Sequence, residues 1–271
     1  MYKNIALSSE DEIKDFLACL RLRPMHIQFA KTAINSLYLD GVVDASTVLD
    51  ILSLCTRVEH LALLIHIYPA MDDRSSLWLT LNLLPLKSLV LYMGIHFINC
   101  ITTSHVLKNL THVDLIDRGV LRKPDTGLEA LHSLTHICLV LQMSSSHPAA
   151  IARLVRNARL CVLAFHVEDS HSRIESFLEG CGIQDERIVL LSTVMVKWDS
   201  LGRTNMLLWE LLEETIRLPK PKNKGHRCLS HERIIELAGY ESSSEGDLED
   251  DFESDPDTVP CSTYSMARTK G

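Results

Sequence analysis

Six segments of the chain repeat one pattern, Φ-x-x-Φ-x-Φ with Φ a large apolar residue: Ile34 to Leu39, Val58 to Leu63, Leu86 to Leu91, Leu110 to Leu115, Leu134 to Leu139 and Leu160 to Phe165. A seventh, degenerate copy starts at Ile188, so successive copies begin 24, 28, 24, 24, 26 and 28 residues apart. Such self-similarity marks a stack of like units, none of which buries its apolar face alone. The alternation reads as a strand with its fourth and sixth positions turned to a core and its third and fifth turned away. The expectation is parallel strands near 34–39, 58–64, 86–92, 110–116, 134–141, 160–167 and 188–191, forming one sheet in which each strand lies beside its sequence neighbour.

Helical signatures fall between these strands. Asp44 is placed to cap a helix with Val48, Ile51, Leu52 and Cys55 inward, and Pro148 opens another with Ile151, Leu154 and Val155 inward. Ile174, Phe177, Leu178 and Cys181 repeat the spacing, and Gly182 stands where a helix end favours positive φ. Before the repeats, Ser9-x-x-Glu12 is a capping box leading into Ile13, Phe16, Leu17 and Leu20. After them, a helix from about Ser200 to Arg217 carries Leu201, Leu208, Trp209 and Leu212. The two outer helices have the positions of caps on an open stack. The period lies in the roughly 20–29-residue range of leucine-rich repeats. The predicted class is therefore α/β, a leucine-rich-repeat-like solenoid of about seven strand-helix coils with helical caps. An ordinary α/β domain with a parallel sheet fits the same alternation; the matched strands at near-constant spacing favour the solenoid. The asparagine usual after the strand of such repeats is missing, so its hydrogen bonds must be made otherwise.

The chain changes character near Leu218. Residues 1–218 are the expected repeat domain, and 219–271 an acidic tail: Glu241 to Asp257 holds nine acids and no base. Such a segment buries too little apolar surface to offset its chain entropy and is expected to be disordered. The tail has eleven acids against seven bases, so −4 of the net −8 lies there. A body at only −4, with no basic stripe, is not that of a nucleic-acid binder. The stretch from Leu89 to Leu107 is interrupted by Gly94, His96, Asn99 and His105 and reads poorly as a membrane span. Eight cysteines without a C-x-x-C, and no basic-then-apolar leader, predict a reducing cytoplasmic or nuclear setting and a silent sequon at Asn109. A monomer is expected.

No phosphate-cradling glycine loop, nucleophile elbow or H-E-x-x-H is present. Neither a catalytic group nor a cofactor is expected. At the outward positions His60, Ser88, His112 and His136 form one column, with Asp114 and Cys138 in the next. A Cys138–His136–Asp114 nucleophilic arrangement can be drawn there, but no oxyanion-stabilising group accompanies it. The outward list as a whole, Ser36, Tyr38, His60, Ala62, Ser88, Val90, His112, Asp114, His136, Cys138, Val162 and Ala164, is poor in charge. That composition suits a face covered by a protein partner, with Tyr38, His60, Ser88, His112, Asp114, His136 and Cys138 as contact residues, or a face covered by the chain's own helices. His226-x-Cys228-x-x-His231 offers only three metal donors where a structural zinc site takes four, and no metal site is expected. Ser242, Ser244 and Ser254, each with an acid three residues on, suit an acidophilic kinase.

Segments such as FLACLRLRPMHIQFAKTAINSLYLDG, ILSLCTRVEHLALLI, LKNLTHVDLI and QDERIVLL followed by KWDSLGRTNMLLWELLEETI resemble the fungal F-box-like leucine-rich-repeat proteins, over about residues 16 to 217. The resemblance implies a repeat region that selects substrates for a cullin-based ubiquitin ligase. No Leu-Pro-x-Glu-Leu type opening is present, so what it implies here is the recognition region without its F-box. The expected function is a non-catalytic protein–protein interaction module; the alternative is an enzyme of unrecognised type using the histidine-rich face.

Overall fold

In the computed structural model the described residues are 4–22, 24–67, 71–92, 106–192, 205–219 and 225–229. Each apolar pattern forms a strand: β2 (Ser36–Val43), β3 (His60–Ile67), β4 (Ser88–Leu91), β5 (His112–Leu115), β6 (His136–Leu141), β7 (Val162–Val167) and β8 (Ile188–Ser192). Two strands that the sequence analysis did not anticipate flank them, β1 (Asn4–Leu7) and β9 (Arg227–Leu229). All pair in parallel, in the order β1 to β9, so every strand lies beside its sequence neighbour as expected. The class is α/β.

Six of the repeats enter the sheet two residues later than their patterns begin. The first apolar residue of each, Ile34, Val58, Leu86, Leu110, Leu134 and Leu160, is buried in the turn that leads into the strand. After it comes a relay of backbone bonds between neighbours. The Asn35 carbonyl accepts from the N–H groups of Glu59 and His60, that of Glu59 from Lys87 and Ser88, that of Lys87 from Thr111 and His112, that of Thr111 from Thr135 and His136, and that of Thr135 from Cys161 and Val162. These bonds join each repeat to the next just ahead of the strands and satisfy backbone groups that would be costly to leave unpaired.

Among the described residues there are seven α-helices: α1 (Glu10–Leu22), α2 (Pro24–Ala33), α3 (Ala45–Leu54), α4 (Met71–Leu83), α5 (Pro148–Val155), α6 (His171–Gly180) and α7 (Asn205–Arg217). Short 3₁₀ turns at Val106–Asn109, Val120–Arg122 and Leu128–Ala130 stand between β4 and β6. The caps read from sequence are present. Asp44 accepts from the Thr47 N–H at 3.2 Å, Ser9 Oγ accepts from the Glu12 N–H at 3.2 Å, and Pro148 opens α5. Gly182 follows α6 with φ +68°.

Two central rows of the first face are aliphatic apart from Phe165. Leu37, Leu61, Leu89, Val113, Ile137, Leu163 and Ile188 form one continuous row, and Leu39, Leu63, Leu91, Leu115, Leu139, Phe165 and Leu190 the next. Both rows are buried in one core with Ile13 and Leu17 of α1, Val48, Ile51 and Leu52 of α3, Leu77 and Leu81 of α4, Ile151 of α5 and Ile174 of α6.

Two expectations about the C-terminal part need correction. α7 does not cap the end of the stack. It lies on the second face, where Leu208, Trp209, Leu211 and Leu212 pack with Cys138, Val162, Ala164, Val189 and Leu191. The reason is that these strand positions are apolar on both faces, and a sheet of that kind must be covered on both. The end position beside β8 goes instead to β9, inside the segment expected to be disordered from residue 219. Leu229 is buried there, and Arg227 donates to the Glu186 carbonyl at 2.7 Å. The rest of the expected tail, from residue 230, lies outside the described residues. Among the described residues no helix is long and apolar enough to cross a membrane.

Candidate functional site on the second face of the sheet

Strand parity and register bring the polar side chains of the second face together. Ser36, His60, Ser88, His112 and His136 are neighbours across β2 to β6, and Tyr38, Ala62, Val90, Asp114 and Cys138 form the row above. Tyr38, Ser88, Asp114, His136 and Cys138 are buried, and His60 and His112 half-buried. Five of the seven expected contact residues are therefore covered within the chain itself, which corrects their assignment to a partner, while His60 and His112 keep part of their surface open. Tyr38, Ala62, Leu64 and Val90 pack on one another with Ile116, while α7 covers the patch beside Cys138. Ser242, Ser244 and Ser254 lie outside the described residues.

The histidine column is built for neutral rings. The rings of His112 and His136 stack at 4.2 Å with 13° between their planes, and Trp209 of α7 lies at 5.3 Å from the first and 5.7 Å from the second. Thr111 and Thr135 each share a 2.8 Å hydrogen bond with Nδ1 of the histidine that follows. His136 Nε2 meets Glu213 Oε1 of α7 at 3.1 Å. Thr135 Oγ1–H also reaches the Thr111 carbonyl at 3.1 Å, so a neutral His136 whose Nε2–H donates to Glu213 must share that one hydroxyl proton, at Nδ1, with the carbonyl. Burial favours that neutral form and pulls His136 below its ordinary value, against the opposing charge of Glu213. Burial, then the neighbouring His136 and His60, lowers His112 to about 4. Burial lowers His60 as well. A second charge in a stack this close would meet both desolvation and repulsion.

Beside the column, three strands contribute a second polar group. His166 of β7 reaches both carboxylate oxygens of Asp114 on β5, Nε2–H donating at 3.2 and 3.4 Å. Cys138 of β6 stands between them in the sheet order. A carboxylate oxygen, the Cys138 sulfur and a ring nitrogen of His166 all lie within 4.8 Å of one another, and all three residues are buried. The nucleophilic arrangement drawn from sequence is thus wrong in its histidine. His136 turns to Glu213 and His112, and Asp114 pairs with His166. Nor is the thiol activated. Burial, and then the carboxylate of Asp114, pushes the Cys138 thiol well above its ordinary value, whereas a working nucleophile needs it lowered.

His166 was missed because it lies beyond the six-residue pattern. Its signal was present in the sequence: Val162, Ala164 and His166 alternate along one strand, which puts His166 on the face of Asp114 and Cys138. Trp209 and Glu213, four residues apart and so on one side of α7, gave no sign of which strands they would meet. A surface depression of about 470 Å³ lined by Met143, Ser172, Arg173, Ser176 and Phe177 involves none of the polar groups just described.

Comparison with known proteins found no matching family model, no matching curated protein and no matching solved structure.

Proposed function

We propose that this chain is a non-catalytic protein–protein interaction module, wound as a leucine-rich-repeat-like solenoid of about seven strand-helix coils. On the resemblance of its repeats, it is the substrate-recognition region of an F-box-like protein. The observation that carries the reading is the relay from the Asn35, Glu59, Lys87, Thr111 and Thr135 carbonyls, each linking one repeat to the next through the same pair of N–H groups. That the same bonds recur at every repeat is what the stacking of like units would give. The enzyme alternative is weakened by the Cys138 thiol, which is buried and held protonated.

The test has two arms. The tagged full chain is purified from its native cell, its co-purifying proteins are identified, and the complex is rebuilt from purified components. The expected result is a saturable complex of fixed stoichiometry. In the second arm the native chain is treated with a thiol-alkylating reagent at neutral pH. Exposed Cys19 and Cys161 should react, while buried Cys55, whose thiol burial pushes up to about 12, and buried Cys138 should not. Rapid, selective alkylation of Cys138 together with failure to rebuild any complex would overturn the reading in favour of an enzyme.

A further inference from the structure

The group formed by Asp114, Cys138 and His166 is not used by the interaction reading. We propose that it is a binding site for a zinc-class divalent cation, with one ligand from each of β5, β6 and β7.

Three features carry the inference. The donors are one oxygen, one sulfur and one nitrogen within 4.8 Å of one another. Ligand atoms around a tetrahedral zinc ion lie roughly 3.3–3.8 Å apart, as its bond lengths of about 2.0–2.3 Å require. The His166 and Asp114 atoms already stand at 3.2 Å, and closing on an ion asks only that the Cys138 sulfur come to the same range. The donor chemistry is also selective. A thiolate with an imidazole suits zinc and its transition-metal neighbours, whereas calcium and magnesium take oxygen. Finally, the site is dry: Asp114 and Cys138 are each 0% exposed. There the +2 charge balances the Asp114 carboxylate and the Cys138 thiolate with His166 neutral, in place of the hydrogen bonds that now join His166 to Asp114. Binding releases the thiol proton to solvent, the S–H bond being replaced by a sulfur–metal bond, and the ring proton of His166 passes from Nε2 to Nδ1 so that Nε2 can ligate.

Among the described residues no fourth His, Cys, Asp or Glu joins the group. The fourth position of a tetrahedral ion would then fall to a group other than these side chains, such as a backbone carbonyl or a water carried in with the ion. An ion here would link three neighbouring strands, and three protein donors give it the ligand count of a zinc site that keeps one open position, not that of a closed structural site.

The experiment uses the full chain, purified without chelator and also refolded with either Zn²⁺ or a chelator. The expected result is an equimolar amount of retained zinc, a melting temperature that falls on chelation, and, after exchange with Co²⁺, a sulfur-to-cobalt charge-transfer band. Cys138→Ser should abolish that band, and Asp114→Asn and His166→Gln should lose retained zinc, with circular dichroism reporting whether each variant folds. Wild-type protein that melts identically with zinc and with chelator, holds no metal and gives no cobalt band overturns the proposal, and the three side chains are then a hydrogen-bonded group only. Zinc retained equally by wild type and by folded variants overturns it too, because the ion would then sit elsewhere, as at His226 and Cys228. Neither result bears on whether a protein complex can be rebuilt, so the two proposals fail separately.

Discussion

The two faces of the one sheet are buried in different ways. The first face presents Leu, Ile and Val, with Phe165, in unbroken rows from β2 to β8 and meets the helices through apolar contact alone. The second face mixes His, Ser, Asp and Cys with Val and Ala, and it is covered in part by α7. Several of its polar groups are held in specific pairings, His136 with Glu213, His166 with Asp114, and His112 against His136, while Ser88 Oγ and His60 Nδ1 are buried without a hydrogen bond. A uniform face is specified by volume and phase, whereas a mixed face is specified by which polar group meets which. Substitutions should therefore be drastic on the first face and graded on the second.

The largest effect is expected from Leu89→Asp. Leu89 is 0% exposed in the middle of the first-face row, with no cationic or hydrogen-bonding side chain in the rows beside it. The buried carboxylate should cost on the order of 5 kcal/mol, enough to prevent folding of most single domains. Urea unfolding checks this, and a variant as stable as wild type would mean that the assigned strand phase is wrong.

Trp209→Ala tests the cover of the second face. The indole is 2% exposed and packs with Leu208, Leu211 and Leu212 on the strands beneath. Its removal should cost roughly 3 kcal/mol and should raise the solvent accessibility of His112 and His136, read as an upward move of their titrations by NMR. A loss of stability without that move would separate α7 from the column.

Acidification sharpens the contrast, because only the second face titrates. The ordinary histidine value is 6.5 and that of folded His112 is about 4. Between those values the unfolded chain binds more protons than the folded one, so stability is full above 6.5 and falls as the pH drops through the window. Undiscounted, the shift of this one ring corresponds to roughly 3 kcal/mol, and on the order of 2 kcal/mol once its partial exposure is allowed for. The lowered values of His60 and His136 act in the same direction. Melting of chelator-treated protein across this range checks the effect, and His112→Gln should flatten the profile.

The smallest effect concerns β9. Removing residues 219–271 should lower stability by about 1 kcal/mol more than removing 230–271, because only the first deletion takes away the buried Leu229 and the pairing of Val189, Leu190 and Leu191 with Arg227, Cys228 and Leu229. Equal melting of the two truncations would show that β9 contributes nothing to the sheet edge.

The repeat pattern determined a great deal by itself. Strand positions, parallel pairing, sequential order and the phase that buries Leu37, Leu61, Leu89, Val113, Ile137 and Leu163 all follow from a two-residue alternation returning every 24 to 28 residues. So do the capped starts of α1, α3 and α5, because capping is a contact within one turn of chain. What the pattern left open was the second face. Sequence placed His136, Cys138 and Asp114 on it but could not say whether solvent, a partner or the chain itself lay above. Nor could it show that Asp114 would meet His166, 52 residues away, or that Glu213 would meet His136, 77 residues away. Local alternation fixes the side of the sheet from which a side chain projects. Which groups meet there depends on how distant segments pack, and that only the tertiary structure decided: α7 crosses over the sheet because Val162, Ala164, Val189 and Leu191 leave an apolar surface that the strands cannot cover themselves.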